Sequence, residues 1–291
     1  MSRRPPWEAW LDPEAYPFAI RRFETGAGVM RYVDEGEGPV VMLVHDTPGW
    51  SFAWREVVAD LSVDHRVVAP DMLGFGLSDN LPEGEEGLGG HTRRLAGLVA
   101  RLGLADITLV VHGFGGPVAL PLALMETSPV SRVVVANSWC WPLGNLPGHA
   151  LARRFIDSPV GRWLYLEAGL AERILMPISL GGGKRLHRHV MRHYHEPLGT
   201  PARRRGPYAL ARARVNEDAY FARLWSARDK LNALPLDLIW GLRDPVFGRA
   251  SLSRWREAHA GAIVHELPRC GHHVPEEAPE AIVRVLRGLG T

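Results

Sequence analysis

Cysteine is nearly absent from this chain of 291 residues, which has only Cys140 and Cys270. Two thiols make no disulfide framework, so a disulfide-stapled secreted fold is excluded and a reducing cytoplasm is the expected location. Lysine is scarce too: Lys184 and Lys230 are the only two among 34 basic residues. That arginine bias reads first as genomic composition and only second as an ion-pair strategy. No apolar run approaches the roughly 18 residues that span a bilayer, so no membrane is expected. The N-terminal run MSRRPPWEAWLDPEAYPF has basic residues but no apolar signal region. An excess of one charge is missing as well: the net charge is +2, and nothing forces a nucleic-acid partner. No cofactor is expected. A small-molecule substrate is the expected partner, with a homodimer left open. Apolar residues at 46% and charged residues at 23% exclude a disordered or collagen-like chain. The length fits two domains of about 150 residues or one α/β domain with an insertion.

Short β-branched runs alternate with helical patterns. Strands are expected at Phe18–Glu24, Val29–Glu35, Val40–Val44, Arg66–Pro70, Ile107–Val111, Arg132–Ala136, Leu236–Trp240 and Ile263–Leu267. VVMLV and ITLVV show no alternation, as strands buried on both faces should not. Helices are expected at Trp54–Leu61, Gly90–Leu102, Gly116–Met125, Ser251–Ala260 and Pro279–Leu289. This rhythm predicts a mostly parallel sheet covered on both faces, beginning with an antiparallel hairpin at TGAGV. From Ser138 to Ala233 the rhythm breaks. That stretch lacks a buried-strand run, is arginine-rich and helical in pattern, and is punctuated by proline and glycine. The expected organisation is a core of residues 1–137 and 234–291 with a helical cap at 138–233.

Chemistry-bearing residues follow the strands, where ligand sites of open α/β sheets form. His45-Asp46-Thr47-Pro48 follows VVMLV, and His112-Gly113-Phe114-Gly115-Gly116 follows ITLVV. Asp244 follows LDLIWG, and His272 and His273 follow the last strand. With APDMLGFGLSD (Ala69–Asp79), WGLRDPVF (Trp240–Phe247) and GHHVPEEAPE (Gly271–Glu280), the chain resembles the α/β-hydrolase superfamily, in its haloalkane dehalogenase and epoxide hydrolase branch. The resemblance covers nearly the whole chain. It implies an α/β-hydrolase fold with a mostly parallel eight-stranded sheet and an inserted helical cap. It also implies an aspartate nucleophile on a strand-to-helix elbow, attacking an sp³ carbon to form an ester. A histidine would then activate water, oriented by a second carboxylate, with backbone N–H groups holding the oxyanion.

The chain departs from that pattern at its centre. The elbow slot that the resemblance assigns to the nucleophile is Gly113, which has no side chain; losing a nucleophile can cost on the order of a million-fold in turnover. The oxyanion loop, which in the family begins His-Gly, reads His45-Asp46. A reciprocal exchange is therefore expected. The Asp46 carboxylate would enter the space left by Gly113, within reach of His272, as a relocated nucleophile or as a holder of a water or a cation. The plainer alternative is a loop carboxylate that caps backbone N–H groups or faces solvent. The expected catalytic residues are Asp46, Asp244 and His272. The expected oxyanion and elbow residues are Thr47, Gly113 and Phe114.

His45, Trp50, His112, Trp139 and Trp141 are expected around the pocket, with His45 and His112 mainly hydrogen-bonding their loops. His273 reads as lining and Cys270 as a small buried hydrophobe. Halide binding looks poor, because the Phe114 side chain has no N–H to donate and Thr47 offers only a hydroxyl. From Lys184 to Arg214 there are nine basic residues and one acid, leaving the rest of the chain net acidic. A solvated helix face is the default reading, with steering of an anionic substrate or pairing with an acidic partner as the sharper ones. His189 and His193 have the spacing of a metal pair, but no third ligand completes a site and no metal is expected. Arg203-Arg204-Arg205 reads as an exposed loop. The functional expectation is a hydrolase acting on ester, epoxide or carbon–halide bonds of a small, largely apolar substrate. Two alternatives stand beside it: a catalytically impaired binding protein on the same scaffold, and a lyase or decarboxylase with His272 as general base.

Overall fold

Runs of β-branched residues between glycine-containing loops fold into one eight-stranded sheet. The computed structural model describes residues 6–288 except 83, 86 and 184. The strands are β1 (Arg21–Thr25), β2 (Gly28–Glu35), β3 (Val40–Val44), β4 (Arg66–Pro70), β5 (Ile107–Gly113), β6 (Val130–Ser138), β7 (Leu236–Gly241) and β8 (Ile263–Leu267). Their spatial order is β1-β2-β4-β3-β5-β6-β7-β8. β1 and β2 form the expected antiparallel hairpin, with Thr25 opposite Gly28, and β2 meets β4 antiparallel. From β4 to β8 the sheet is parallel.

The helices are α1 (Arg55–Leu61), α2 (Leu88–Leu102), α3 (Gly115–Ala123), α4 (His149–Ile156), α5 (Pro159–Trp163), α6 (Met176–Ile178), α7 (Arg188–His195), α8 (Arg205–Asn216), α9 (Asp218–Ser226), α10 (Arg249–Ala258), α11 (Val274–Glu277) and α12 (Pro279–Leu286). One apolar core joins one sheet face to α2, α3, α9 and α10 through residues such as Leu95, Val118, Phe221 and Trp255. A second joins the other face to α1 and α12 through Val57, Leu61 and Ile282. The strand patterns thus lack alternation because both faces are covered.

Three differences from the sequence reading have physical causes. β1 starts at Arg21, because Phe18 packs its ring against Tyr16 and the Ala19 N–H donates to the Glu35 carboxylate. β5 and β6 run on to Gly113 and Ser138, which pair across a register shift at the strand ends. Arg203–Arg205 is not an exposed loop. Arg204 is buried, with its Nε 2.9 Å from Glu172 and its Nη1 donating to the Leu166 and Glu167 carbonyls. Lys184 and Leu289 lie outside the described residues. Between β6 and β7 every regular element among the described residues is helical.

Candidate active site

β3 connects to β4 on one side of the sheet, while the chain continues from β5 towards β6 on the other. The crevice between the carboxyl ends of β3 and β5 is therefore the switch point where such sheets bind ligands. Asp46 follows β3 there and Gly113 ends β5 there.

The elbow is built by glycine. Gly113 has φ +48°, a left-handed conformation that a side chain disfavours. A Cβ placed on Gly113 would lie 2.0 Å from Asp46 Cγ and 2.2 and 2.3 Å from its two carboxylate oxygens. The Asp46 carboxylate thus occupies the volume that an elbow side chain would take. At Gly116 the reason is packing: a Cβ there would fall 1.9 Å from Ser138 Oγ, which donates to the Gly113 carbonyl.

Three side chains form a line. Asp46 Oδ2 is 2.8 Å from His272 Nε2, and His272 Nδ1 is 2.8 Å from Asp244 Oδ2. Asp46 Oδ1 accepts the Phe114 N–H at 2.6 Å. Asp244 is fixed in turn: its Oδ2 accepts from Asn137 Nδ2 at 2.7 Å and its Oδ1 from the Val246 N–H at 2.6 Å. All three are buried.

Burial opposes each of these charges, but their mutual contact outweighs it. Desolvation would lower the His272 pKa, yet the Asp244 and Asp46 carboxylates raise it to about 10. Desolvation would raise Asp46, yet the His272 hydrogen bond and charge and the Phe114 N–H hold it well below its ordinary value. Asp244 is lowered in the same way against burial, chiefly by the charge and hydrogen bond of His272. The resting state at neutral pH is carboxylate, imidazolium, carboxylate.

His45 and His112, next to this line, are held neutral by burial. His45 accepts the Met72 N–H on Nε2, so its Nδ1 carries the proton and donates to the Asp46 carbonyl at 2.8 Å. His112 Nε2 donates to the His272 carbonyl at 2.7 Å. Desolvation lowers both to about 4. Carboxylate and imidazole atoms of Asp46, His112 and His272 lie within 4.8 Å of one another. Both ring nitrogens of His272 and Nε2 of His112 are already committed to these hydrogen bonds.

A cavity of about 350 Å³ opens above this line. Asp46, Thr47, Phe114, His272 and His273 lie on its floor, and Ile156, Leu175, Met176 and Arg214 come from the helical segment between β6 and β7. None of the five residues expected around the pocket lines it. Trp50 is fully buried in an aromatic cluster and donates to the His193 carbonyl at 2.7 Å. Trp139 stacks on Phe247 beneath the cavity wall, and Trp141 packs on Trp225 and Trp255. His45 and His112 sit behind the cavity, consistent with their loop hydrogen bonds. His273 lines it, with Nε2 2.9 Å from Ser179 Oγ. The pair at 189 and 193 serves packing: His189 contacts Asp12 at 2.8 Å, and His193 stacks on Phe52.

Sequence reading missed Asn137 and Arg214. A polar residue directly after the apolar run of β6, one step from the motif loops, was the available signal for Asn137. Arg214 was hidden among nine basic residues. No helix among the described residues is long and apolar enough to cross a membrane.

Residues 39–279 match the family described as alpha/beta hydrolase fold. The chain is 33% identical over 279 residues to haloalkane dehalogenase 2 of Mycobacterium tuberculosis, covering 94% of this chain and 96% of that one. It is 29% identical over 304 residues to a cis-3-alkyl-4-alkyloxetan-2-one decarboxylase of Xanthomonas campestris, covering 94% and 96%. The crystal structure of haloalkane dehalogenase DbeA from Bradyrhizobium elkani superposes with a TM-score of 0.84 at 23% identity, covering 93% and 97% of the two chains. By sequence and fold alike, the chain belongs to the alpha/beta hydrolase fold family, in its haloalkane dehalogenase-like branch.

Proposed function

We propose that the chain is a hydrolase whose attacking carboxylate has moved from the elbow to the neighbouring loop. Asp46 is the nucleophile, His272 the water-activating base and Asp244 the group that orients and compensates His272. Gly113 stands in the slot that an elbow nucleophile would fill. Residues 138–233 form the cap, and residues 1–137 and 234–291 the core. One observation carries this reading: the Asp46 carboxylate lies where a Gly113 side chain would be, 2.8 Å from His272.

An Asp46 carboxylate oxygen attacks an sp³ carbon of a small, largely apolar substrate, and the leaving group departs with the bonding pair. The ester that forms has no charge. His272 then keeps only Asp244 as a carboxylate neighbour, its pKa falls, and its proton passes to solvent. Neutral His272 takes a proton from water as that water attacks the Asp46 carboxyl carbon. The Phe114 N–H holds the oxyanion, as it holds Oδ1 now. Collapse breaks the bond to the alkyl oxygen. The released alkoxide takes the proton from His272, and the Asp46 acid returns its own proton to the imidazole.

A non-hydrolytic course in which carbon dioxide leaves is the second reading, favoured by the similarity to oxetan-2-one decarboxylases. The test is intact-protein and peptide mass spectrometry of His272→Gln after exposure to n-butyl bromide, butylene oxide and β-butyrolactone. The reading expects a stable adduct on the Asp46 peptide with at least one of them. A chain that never acquires the adduct, while wild type turns over none of the three, is the binding protein instead.

A further inference from the structure

Arg214 differs from the other arginines around α8. Arg212 pairs with Asp157 at 3.2 Å, and Arg204 is buried against Glu172. Arg214 has no hydrogen bond or ion pair among the described residues; its guanidinium lies over the rings of Phe247 at 5.4 Å and Trp139 at 5.9 Å. It lines the same cavity as Asp46 and His272. The other cap-side residues lining the cavity are mostly apolar, including Ile156, Leu175 and Ala211. Burial lowers its pKa, while the charges of Tyr165, Asp46 and Asp244 act to raise it.

A guanidinium offers five donors in a rigid fork, and half-burying them at Arg214 with no protein partner weakens their contact with water at a cost. The two aromatic faces fix its position and offset part of that cost, but they accept none of its hydrogen bonds in the plane of the fork. The floor holds two carboxylates against one imidazolium, a net negative charge that acts on Arg214 through space without a hydrogen bond or ion pair to it. What is missing is a planar acceptor in the cavity. A carboxylate supplies two coplanar oxygens that match the fork.

We infer that the molecule this site binds carries a carboxylate, held by Arg214, with an apolar stem along the cavity wall and its reacting carbon over Asp46. The inference names the substrate class of the site proposed above. It rests on that reading for the chemistry and not for the binding.

Binding of butyrate and of n-butanol, followed by calorimetry, tests it in four proteins: wild type, Asp46→Asn, Arg214→Gln and Arg214→Lys. Butyrate is expected to bind wild type and Asp46→Asn, and to weaken about tenfold or more in Arg214→Gln, the usual scale of a lost charge-assisted contact. Arg214→Lys, which keeps the charge, falls between and guards against a folding defect in Arg214→Gln. Butanol affinity is expected to be the same in all four. Butyrate binding that is unchanged in Arg214→Gln, or butanol binding that falls equally, overturns the inference. Because Asp46→Asn has no nucleophile, butyrate binding there stands or falls independently of the catalytic reading.

Discussion

Asp46 and Gly113 share one volume. The carboxylate of the first lies 2.0 Å, at Cγ, from where the second would carry a Cβ. The two positions therefore hold one side chain between them, and the site can carry a carboxylate on either loop but not on both.

A reciprocal cycle follows. Gly113→Asp alone forces a second carboxylate into an occupied, buried space at a positive φ, and is expected to lose about 3 kcal/mol or more of stability. Adding Asp46→Gly removes the collision, and the double variant should recover most of that loss. Urea denaturation of the four proteins checks it. A Gly113→Asp protein as stable as wild type contradicts the shared volume.

Removing the carboxylate charge also separates chemistry from packing. Asp46→Asn keeps the volume and the Phe114 contact but is a poor nucleophile. Turnover of any active substrate should fall by about a thousand-fold or more, while the protein stays folded with a melting temperature lowered by the lost pairing with His272. Steady-state kinetics and calorimetry on the same preparation measure both. Activity within about tenfold of wild type would exclude a nucleophilic role.

Stability should peak near neutrality. His45 and His112 are lowered from 6.5 to about 4 by burial, so between those values the unfolded chain binds more protons and stability rises with pH. The lowered carboxylates of Asp46 and Asp244 add to this on the acid side: their contribution is present above 3.8 and is lost as pH falls through their lowered values. His272 runs the other way. Its contribution is complete below 6.5 and is lost as pH rises towards about 10, at no more than about 1.4 kcal/mol per pH unit for its one proton. Asp46→Asn removes one of the charges that raise His272 and should flatten the alkaline limb. Urea midpoints measured across this range for both proteins decide it, and equal alkaline slopes would count against the coupling.

Asn137 is expected to matter through Asp244. Its amide donates to Asp244 Oδ2 and to the Gly241 carbonyl, and its oxygen accepts the Gly241 N–H at 2.7 Å. Asn137→Ala leaves these buried groups unpaired, which costs about 2–3 kcal/mol, and loosens the carboxylate that orients His272. A drop in kcat of about tenfold or more with little change in KM would mark this positioning role. A stability loss with unchanged kcat would mark a purely structural one.

Much of this was legible in the chain before its coordinates. The runs VVMLV and ITLVV announce strands buried on both faces, and β3 spans Val40–Val44 as expected. The reversed order of His-Asp and His-Gly in the two loops points to the contact between Asp46 and the Gly113 space. The pocket walls were not legible. Tryptophans near the motifs suggest a lining, yet Trp50 and Trp139 are large enough to be consumed by the cores beside the cavity. The arginine-rich stretch hides three different fates in one composition: Arg204 in a buried ion pair, Arg212 in an exposed one and Arg214 facing the cavity. Side-chain direction on α8 separates them, and the spacing of arginines alone does not fix it.

The central claim, that Asp46 forms the covalent ester, is tested most directly by a single turnover in water enriched in the heavy oxygen isotope. With enzyme in excess over substrate, the account predicts heavy oxygen in the Asp46 peptide and ordinary oxygen in the alcohol, because water attacks the carboxyl carbon of the ester. Heavy oxygen in the alcohol and none in Asp46 would mean that water attacks the substrate directly, and would contradict it.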